Sequence, residues 1–151
     1  RNVIAGNGWN GIYLSAGNNV VAGNYIGTNV AGDAAIPNDM IGIRFDNSSD
    51  NRIGTDVDGS SDGLEGNLIS GNSENGLYLD ASNNNVIAGN YIGTDATGSL
   101  ARANARFGVD VRETNAQVGG PNPADRNLVS GNAEVGVNFW SASASPRSSC
   151  T

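Results

Sequence analysis

Four carboxylates fall within ten residues in the stretch Asp56-Val57-Asp58-Gly59-Ser60-Ser61-Asp62-Gly63-Leu64-Glu65. Calcium takes hard oxygen ligands from tightly turning backbone, and acidic side chains spaced by glycines supply both. Asp56, Asp58, Asp62 and Glu65 are therefore the candidate metal ligands, and calcium is the one cofactor the sequence suggests. Their offsets of 1, 3, 7 and 10 depart from the EF-hand pattern, and the corresponding stretches at 28–38 and 94–106 lack the acid cluster. The competing reading is a solvated acidic loop. Arg44 and Asp46 form a second set, on one predicted strand beside Tyr78 and Asp110. Such a set becomes acid–base machinery only where a cleft perturbs one of its groups. Alternating spacing turns these charges outward into solvent, and histidine, the commonest general base, is absent altogether. No catalytic residue is assigned, and the balance is against an enzyme.

The elements that must hold these residues follow from internal repetition. The phrase Asn-(Val/Leu)-(Ile/Val)-(Ala/Ser)-Gly-Asn begins at Asn2, Asn19, Asn67, Asn85 and Asn127. A second phrase, Gly-(Ile/Leu/Val)-x-(Leu/Phe/Val), starts at Gly11, Gly42, Gly76, Gly108 and Gly136, in steps of 31, 34, 32 and 28 residues. Each step contains three short segments with period-two alternation, and the pattern copies itself from step to step. Independent hairpins would not do this. The fold class expected is all-β: a right-handed parallel β-helix, or β-solenoid, of about five coils with three short strands per coil.

Stacking equivalent strands predicts three inward ladders. They run Ile12/Leu14, Ile43/Phe45, Leu77/Leu79, Val109/Val111, Val137/Phe139; then Val21, Ile53, Ile87, Val118; then Ile4, Ile26, Ile69, Ile92, Val129. The recurring Asn2, Asn67, Asn127 and Asn7, Asn72, Asn132 are expected to bond between coils as amide ladders. Long excursions alternate between two corners (28–40 and 94–106, then 55–66 and 120–126), which predicts one comparatively bare sheet. The β-helix is placed at residues 1–139, with a Ser- and Ala-rich tail at 140–151 carrying the lone Cys150. Because Arg1-Asn2-Val3-Ile4 repeats as Arg126-Asn127-Leu128-Val129, the chain is expected to be a piece of something longer.

Outward positions carry the other candidates. One row reads Tyr13, Arg44, Tyr78, Asp110, Asn138; another reads Val3, Tyr25, Leu68, Tyr91, Leu128, apolar where polar residues are expected. A continuous apolar ridge marks a contact surface unless the long excursions fold over it. Tyr13, Arg44, Tyr78, Tyr25, Leu68 and Tyr91 are thus candidate contacts for a carbohydrate or a protein partner. The net charge of −7 argues against nucleic acid as partner, and no apolar run is long enough to span a membrane. Glycine, at 22 of 151 residues, fits a chain that turns often.

Phrases such as Tyr91-Ile92-Gly93-Thr94-Asp95-Ala96-Thr97-Gly98, Val118-Gly119-Gly120 and Asn127-Leu128-Val129-Ser130-Gly131-Asn132 resemble the right-handed parallel β-helix repeats of large bacterial secreted and cell-surface proteins. The resemblance extends over residues 1–139. It implies the fold, and an extracellular or cell-surface location. Relatives of that fold include polysaccharide lyases, glycosidases, adhesins and scaffolding arrays, so it does not choose a function. The expectation is a non-enzymatic structural or assembly module, with fibre formation or adhesion as roles and other copies of the repeat as partners. The alternative is a carbohydrate-binding or polysaccharide-processing β-helix.

Overall fold

The computed structural model describes residues 1–56, 58–112 and 115–140. Fourteen short strands wind through three parallel sheets. Sheet 1 holds β1 (Val3–Ile4), β4 (Tyr25–Ile26), β7 (Leu68–Ile69), β10 (Tyr91–Ile92) and β13 (Leu128–Val129). Sheet 2 holds β2 (Ile12–Leu14), β5 (Ile43–Asp46), β8 (Leu77–Asp80), β11 (Val109–Arg112) and β14 (Val137–Trp140). Sheet 3 holds β3 (Val20–Val21), β6 (Arg52–Gly54), β9 (Asn85–Ala88) and β12 (Ala116–Val118). The chain visits sheets 1, 2 and 3 in turn, and every strand pairs in parallel with its equivalent one coil away.

All three predicted ladders form in the register expected. Ile26, Ile43, Phe45, Ile53, Ile69, Leu77, Leu79, Ile87 and Ile92 are completely buried in one core. β-Branched side chains dominate because they fill a pleated surface with few rotamers to lose. The coil count differs slightly from expectation. Four complete turns are present, and a fifth turn contributes only β13 and β14 among the described residues. Cys150 and positions 141–151 of the predicted tail lie outside the described residues.

Amide ladders run the length of the corners. Asn2, Asn24, Asn67, Asn90 and Asn127 form one column, each Nδ2 donating to the next Oδ1 at 2.9, 3.2, 2.9 and 3.0 Å. Asn7, Asn38, Asn72, Asn104 and Asn132 form a second, at 2.8, 2.9, 2.9 and 2.9 Å. A third, shorter column joins Asn19, Asn51 and Asn85, with both steps at 2.9 Å. Amide–amide bonds of this kind satisfy polar groups that the corners would otherwise bury unpaired.

The excursions do not leave one sheet bare; they leave one corner bare. Those after β4 and β10, each closed by an antiparallel bridge (Thr28↔Ala35, Thr94↔Ala101), leave between sheets 1 and 2. Those after β6 and β12 carry the one-turn helix α1 (Asp62–Glu65) and the 3₁₀ turn Pro123–Asp125, between sheets 3 and 1. Both sets border sheet 1 and wall it on two sides. The physical reason is that alternation puts successive excursions on opposite flanks of the same sheet.

Candidate functional site

The acidic loop begins where β6 ends. Arg52, outward on β6, places Nη2 3.3 Å from Asp56 Oδ2 and Nη1 3.5 Å from Glu65 Oε2. Glu65 also accepts from the Asp56 amide at 3.1 Å, and Asp62 accepts from Thr55 Oγ1 at 3.4 Å. The result brings carboxylate oxygens of Asp56, Asp62 and Glu65 within 4.8 Å of one another. Asp58 is not part of this group and instead accepts from the Ser60 amide at 2.7 Å. Sequence reasoning missed Arg52, which stands before the loop and places a guanidinium against two of the acids.

An ion would have to share those oxygens with the guanidinium. Millimolar calcium is therefore expected to leave the unfolding midpoint of the native protein within about 1 °C. Arg52→Ala removes the competing cation and should create a calcium-dependent rise of several degrees, since ligand at about 100 times Kd adds about 2.7 kcal/mol. Thermal scans with calcium and with chelator read the difference. A native midpoint that climbs with calcium would show that the ion displaces Arg52.

The outer face of sheet 2 carries the second candidate. Tyr13, Arg44, Tyr78, Asp110 and Asn138 share one column, as predicted, and Asp46, Asp80, Arg112 and Trp140 form a neighbouring one two residues along. The Arg44 guanidinium lies 5.2 Å from the Tyr78 ring centre, and that of Arg112 lies 5.4 Å from Tyr78 and 5.9 Å from Trp140. Trp9 stacks on Tyr13 with ring centres 5.2 Å apart. Cations alternate with rings because in-register coils bring outward side chains to the inter-strand spacing, within cation–π range.

One expectation fails on this face. Asp110 is completely buried, not solvated. Its carboxylate accepts from Arg112 Nε at 3.0 Å and from Asn138 Nδ2 at 2.7 Å. An outward position is covered here because neighbours one coil away and two residues along fold over it. Electrostatics on this face run away from neutrality. The hydrogen bond to Asp46, with burial and the Asp46 charge, raises the Tyr13 phenol. Burial chiefly raises Tyr78; at Arg112 burial pulls downward, and Asp110 with Tyr78 and Asp80 together raise it. None of these three groups is thereby poised to exchange a proton near pH 7.

The third candidate is the apolar row on sheet 1, where Val3, Tyr25, Leu68, Tyr91 and Leu128 stack in register. The excursions settle on part of it. Gly32 approaches so closely that an added Cβ would come within 2.8 Å of Leu68 and 2.9 Å of Tyr25, and Gly98 approaches Leu128 and Tyr91 in the same way. Leu68 is left 2% exposed, whereas Val3 and Tyr91 keep 43% and 39%. Between the walls lies a groove of about 410 Å³ lined by Tyr25, Leu68, Tyr91, Leu64, Arg1 and Arg126. Arg1 occupies one end, its guanidinium 4.4 Å from the Tyr25 ring centre.

Compared with known protein families, the chain matches the right handed beta helix region along residues 1–151. The chain belongs to this family. No curated protein and no solved structure matches it. Membership accounts for the coils and ladders of this β-helix and leaves its three surface candidates unassigned. No helix among the described residues is long and apolar enough to cross a membrane. Of the site residues, Tyr13, Arg44 and Tyr78 do meet on one face of the β-helix, and Tyr25, Leu68 and Tyr91 on another. Trp9, Trp140 and Arg112 were missed. Trp140 was assigned to the tail, although β14 runs through it.

Proposed function

We propose that this β-helix is a non-enzymatic structural and assembly module of an extracellular or cell-surface repeat protein, acting as a stiff segment that joins further coils. The observation that supports this reading is the pair of amide columns running unbroken through five coils, from Asn2 to Asn127 and from Asn7 to Asn132. Buried polar side chains are spent on coil-to-coil cohesion along the axis. Repeat stacks of this kind derive their stability from nearest-neighbour interfaces, and their open strand edges pair with any equivalent coil. Electron microscopy of the undissociated protein tests the reading. Filaments whose axial repeat is a whole number of coil spacings are the expected result, and isolated short rods at every concentration would overturn the assembly role.

A carbohydrate-binding role is the second reading, and one observation favours it. Trp9 and Trp140 stand 53% and 51% exposed at the two ends of the sheet 2 row, with Tyr13 at 40%. Exposed indole faces with adjacent arginines and carboxylates suit a hydroxyl-bearing ring. Glycan affinity that disappears in Tyr78→Ala, from protein that forms no filaments, would put this reading first.

A further inference from the structure

The groove over sheet 1 repeats itself every second coil. Gly32 closes on Tyr25 and Leu68, and Gly98 makes the same approach to Tyr91 and Leu128. Tyr25 is on β4 and Tyr91 on β10, with β7 between them. The two positions therefore lie two inter-strand spacings apart, about 9.6 Å. Both walls are fixed in place before any ligand arrives. On one, the Ala96 amide donates to the Gly32 carbonyl at 2.9 Å and ties the two excursions together. On the other, the Gly23 and Gly89 amides hold the Glu65 and Asp125 carbonyls at 2.7 and 3.1 Å. A groove that is already open costs its ligand no rearrangement.

Donors in this groove are left without acceptors. The Arg126 guanidinium lines it and has no hydrogen bond, ion pair or ring contact. Every other described arginine has a partner. Arg1 and Arg44 lie on tyrosine rings, Arg52, Arg106 and Arg112 pair with carboxylates, and Arg102 donates to the Asp33 carbonyl. The hydroxyls of Tyr25 and Tyr91 are likewise unpaired, whereas that of Tyr13 donates to Asp46. Asp62, the acid on the rim, already accepts from Thr55 and sits in the acid group that Arg52 pairs. The rest of the lining is apolar or committed: Leu64, Ala96 and Ala124 carry no polar side-chain atom, and the Asn67 amide is spent in its column. The groove thus asks for a carboxylate, carbonyl acceptors and apolar rings. A sugar chain would leave many of its hydroxyls unpaired against those side chains.

We infer that this groove binds a proline-rich peptide in the polyproline II conformation, with a carboxylate beside its prolines. In that conformation residues three apart share a face, and three residues advance about 9.3 Å. This matches the spacing of Tyr25 and Tyr91. An extended strand repeats its face every two residues, about 6.8 Å, which fits neither one coil nor two. Pyrrolidine rings lie on the two tyrosines, as proline-rich segments do in aromatic-lined grooves generally. The phenols donate to peptide carbonyls, which polyproline II leaves free of internal bonds. Arg126, one coil beyond Tyr91, takes the carboxylate through two parallel N–H donors. The site lies on the side of the coils, so it neither needs nor obstructs stacking along the axis.

Fluorescence anisotropy of a labelled peptide of four Pro-Pro-Glu repeats, titrated with the native protein, tests the inference. Micromolar binding is the expected result. Affinity should be at least tenfold lower for four Gly-Gly-Glu repeats, which keep the charge without the conformation. It should fall as far for four Pro-Pro-Lys repeats, which keep the conformation and reverse the charge. Arg126→Ala and Tyr91→Ala should each weaken the first peptide at least tenfold. Arg106→Ala, which breaks an ion pair with Glu134 outside the groove, should leave its affinity unchanged. Because Arg126 bonds to no other residue, Arg126→Ala should unfold at the native midpoint and so report on binding alone. Equal binding of the glycine or the lysine peptide would overturn the inference, as would binding that survives Arg126→Ala or no binding at millimolar protein. Oligogalacturonate that binds in place of the peptide, and is lost in Arg126→Ala, would assign the groove to an acidic saccharide instead.

Discussion

Replacing Asn72 by leucine is expected to remove about 2–4 kcal/mol of stability, a large share of the 5–15 kcal/mol a domain holds. Asn72 is 1% exposed at the centre of its column. It accepts from Asn38 Nδ2 at 2.9 Å and donates to Asn104 Oδ1 at 2.9 Å, with its backbone amide reaching the same oxygen at 3.1 Å. Leucine keeps the γ-branched shape, with bulkier methyl groups, but offers neither group. Asn38 Nδ2 keeps only the Ile4 carbonyl at 3.1 Å, and Asn104 Oδ1 keeps only the backbone N–H of position 72 as donor. The loss falls on neighbours that stay buried, which makes it larger than the net worth of the bonds removed. Because coils touch only their neighbours, a weakened middle interface should also broaden the denaturant transition as the two ends begin to melt separately. Asn2→Leu is the control: the same chemistry at an exposed column end is expected to cost under about 1 kcal/mol. Equal midpoints for the two variants in urea would mean that the columns carry no cohesion.

The fold was legible because its determinants are local and repeated. Every inward ladder could be named from β-branched residues at matching offsets, and each formed. The Asn columns were half legible, for a specific reason. In odd coils the Asn…Gly-Asn phrase crosses from sheet 1 towards sheet 2, so Asn67 and Asn72 enter the first and second columns. In the first and third coils the same phrase recurs on sheet 3, at β3 and β9, so Asn85 and Asn90 enter the third and first. One local motif turns two different corners because each needs the same things, a bonded amide and a glycine of positive φ; Gly6, Gly23, Gly71, Gly89 and Gly131 lie between 70° and 76°. Asn38 and Asn104 stand outside the phrase, near the far ends of the excursions, and only the closed loops bring them into line.

Surface chemistry was less legible, since it depends on the adjacent coil. Arg44 and Tyr78 could be paired by register alone. The burial of Asp110 depends on Arg112 two residues along and Asn138 one coil on, and the pairing of Asp56 and Glu65 depends on Arg52 at the other end of an excursion. Neither spacing repeats, so repetition gave no warning of them. The walls around sheet 1 arise similarly, from two excursion families that the sequence orders but does not place in space.

Gly54→Ala is expected to be the most damaging single methyl in the chain, at more than about 4 kcal/mol, with most of the protein insoluble or unfolded. Gly54 ends β6 with φ +99°, and an added Cβ would stand 1.8 Å from the Ala88 carbonyl oxygen and 2.9 Å from the Asn90 amide. Gly54 and Ala88 are partners in the parallel register of β6 and β9, so the obstacle is the backbone of the next coil and cannot rotate away. Relief would require opening that pair and pulling Asn90 from its 2.9 Å bond to the Ile53 carbonyl. Two further glycines separate the contributions. Gly59 has φ +86° but nothing within 4 Å of an added Cβ, so Gly59→Ala isolates backbone strain, at about 1–3 kcal/mol. Gly63 lies in α1 with no positive φ and open space around it, so Gly63→Ala should be neutral or stabilising by up to about 1 kcal/mol. Thermal midpoints and soluble yields of the three variants should fall in the order 63, 59, 54. A Gly54→Ala protein melting near the native midpoint would mean that the coils at this corner lie farther apart than the sheet register places them, and the stacked-coil account of the corner would have to be given up.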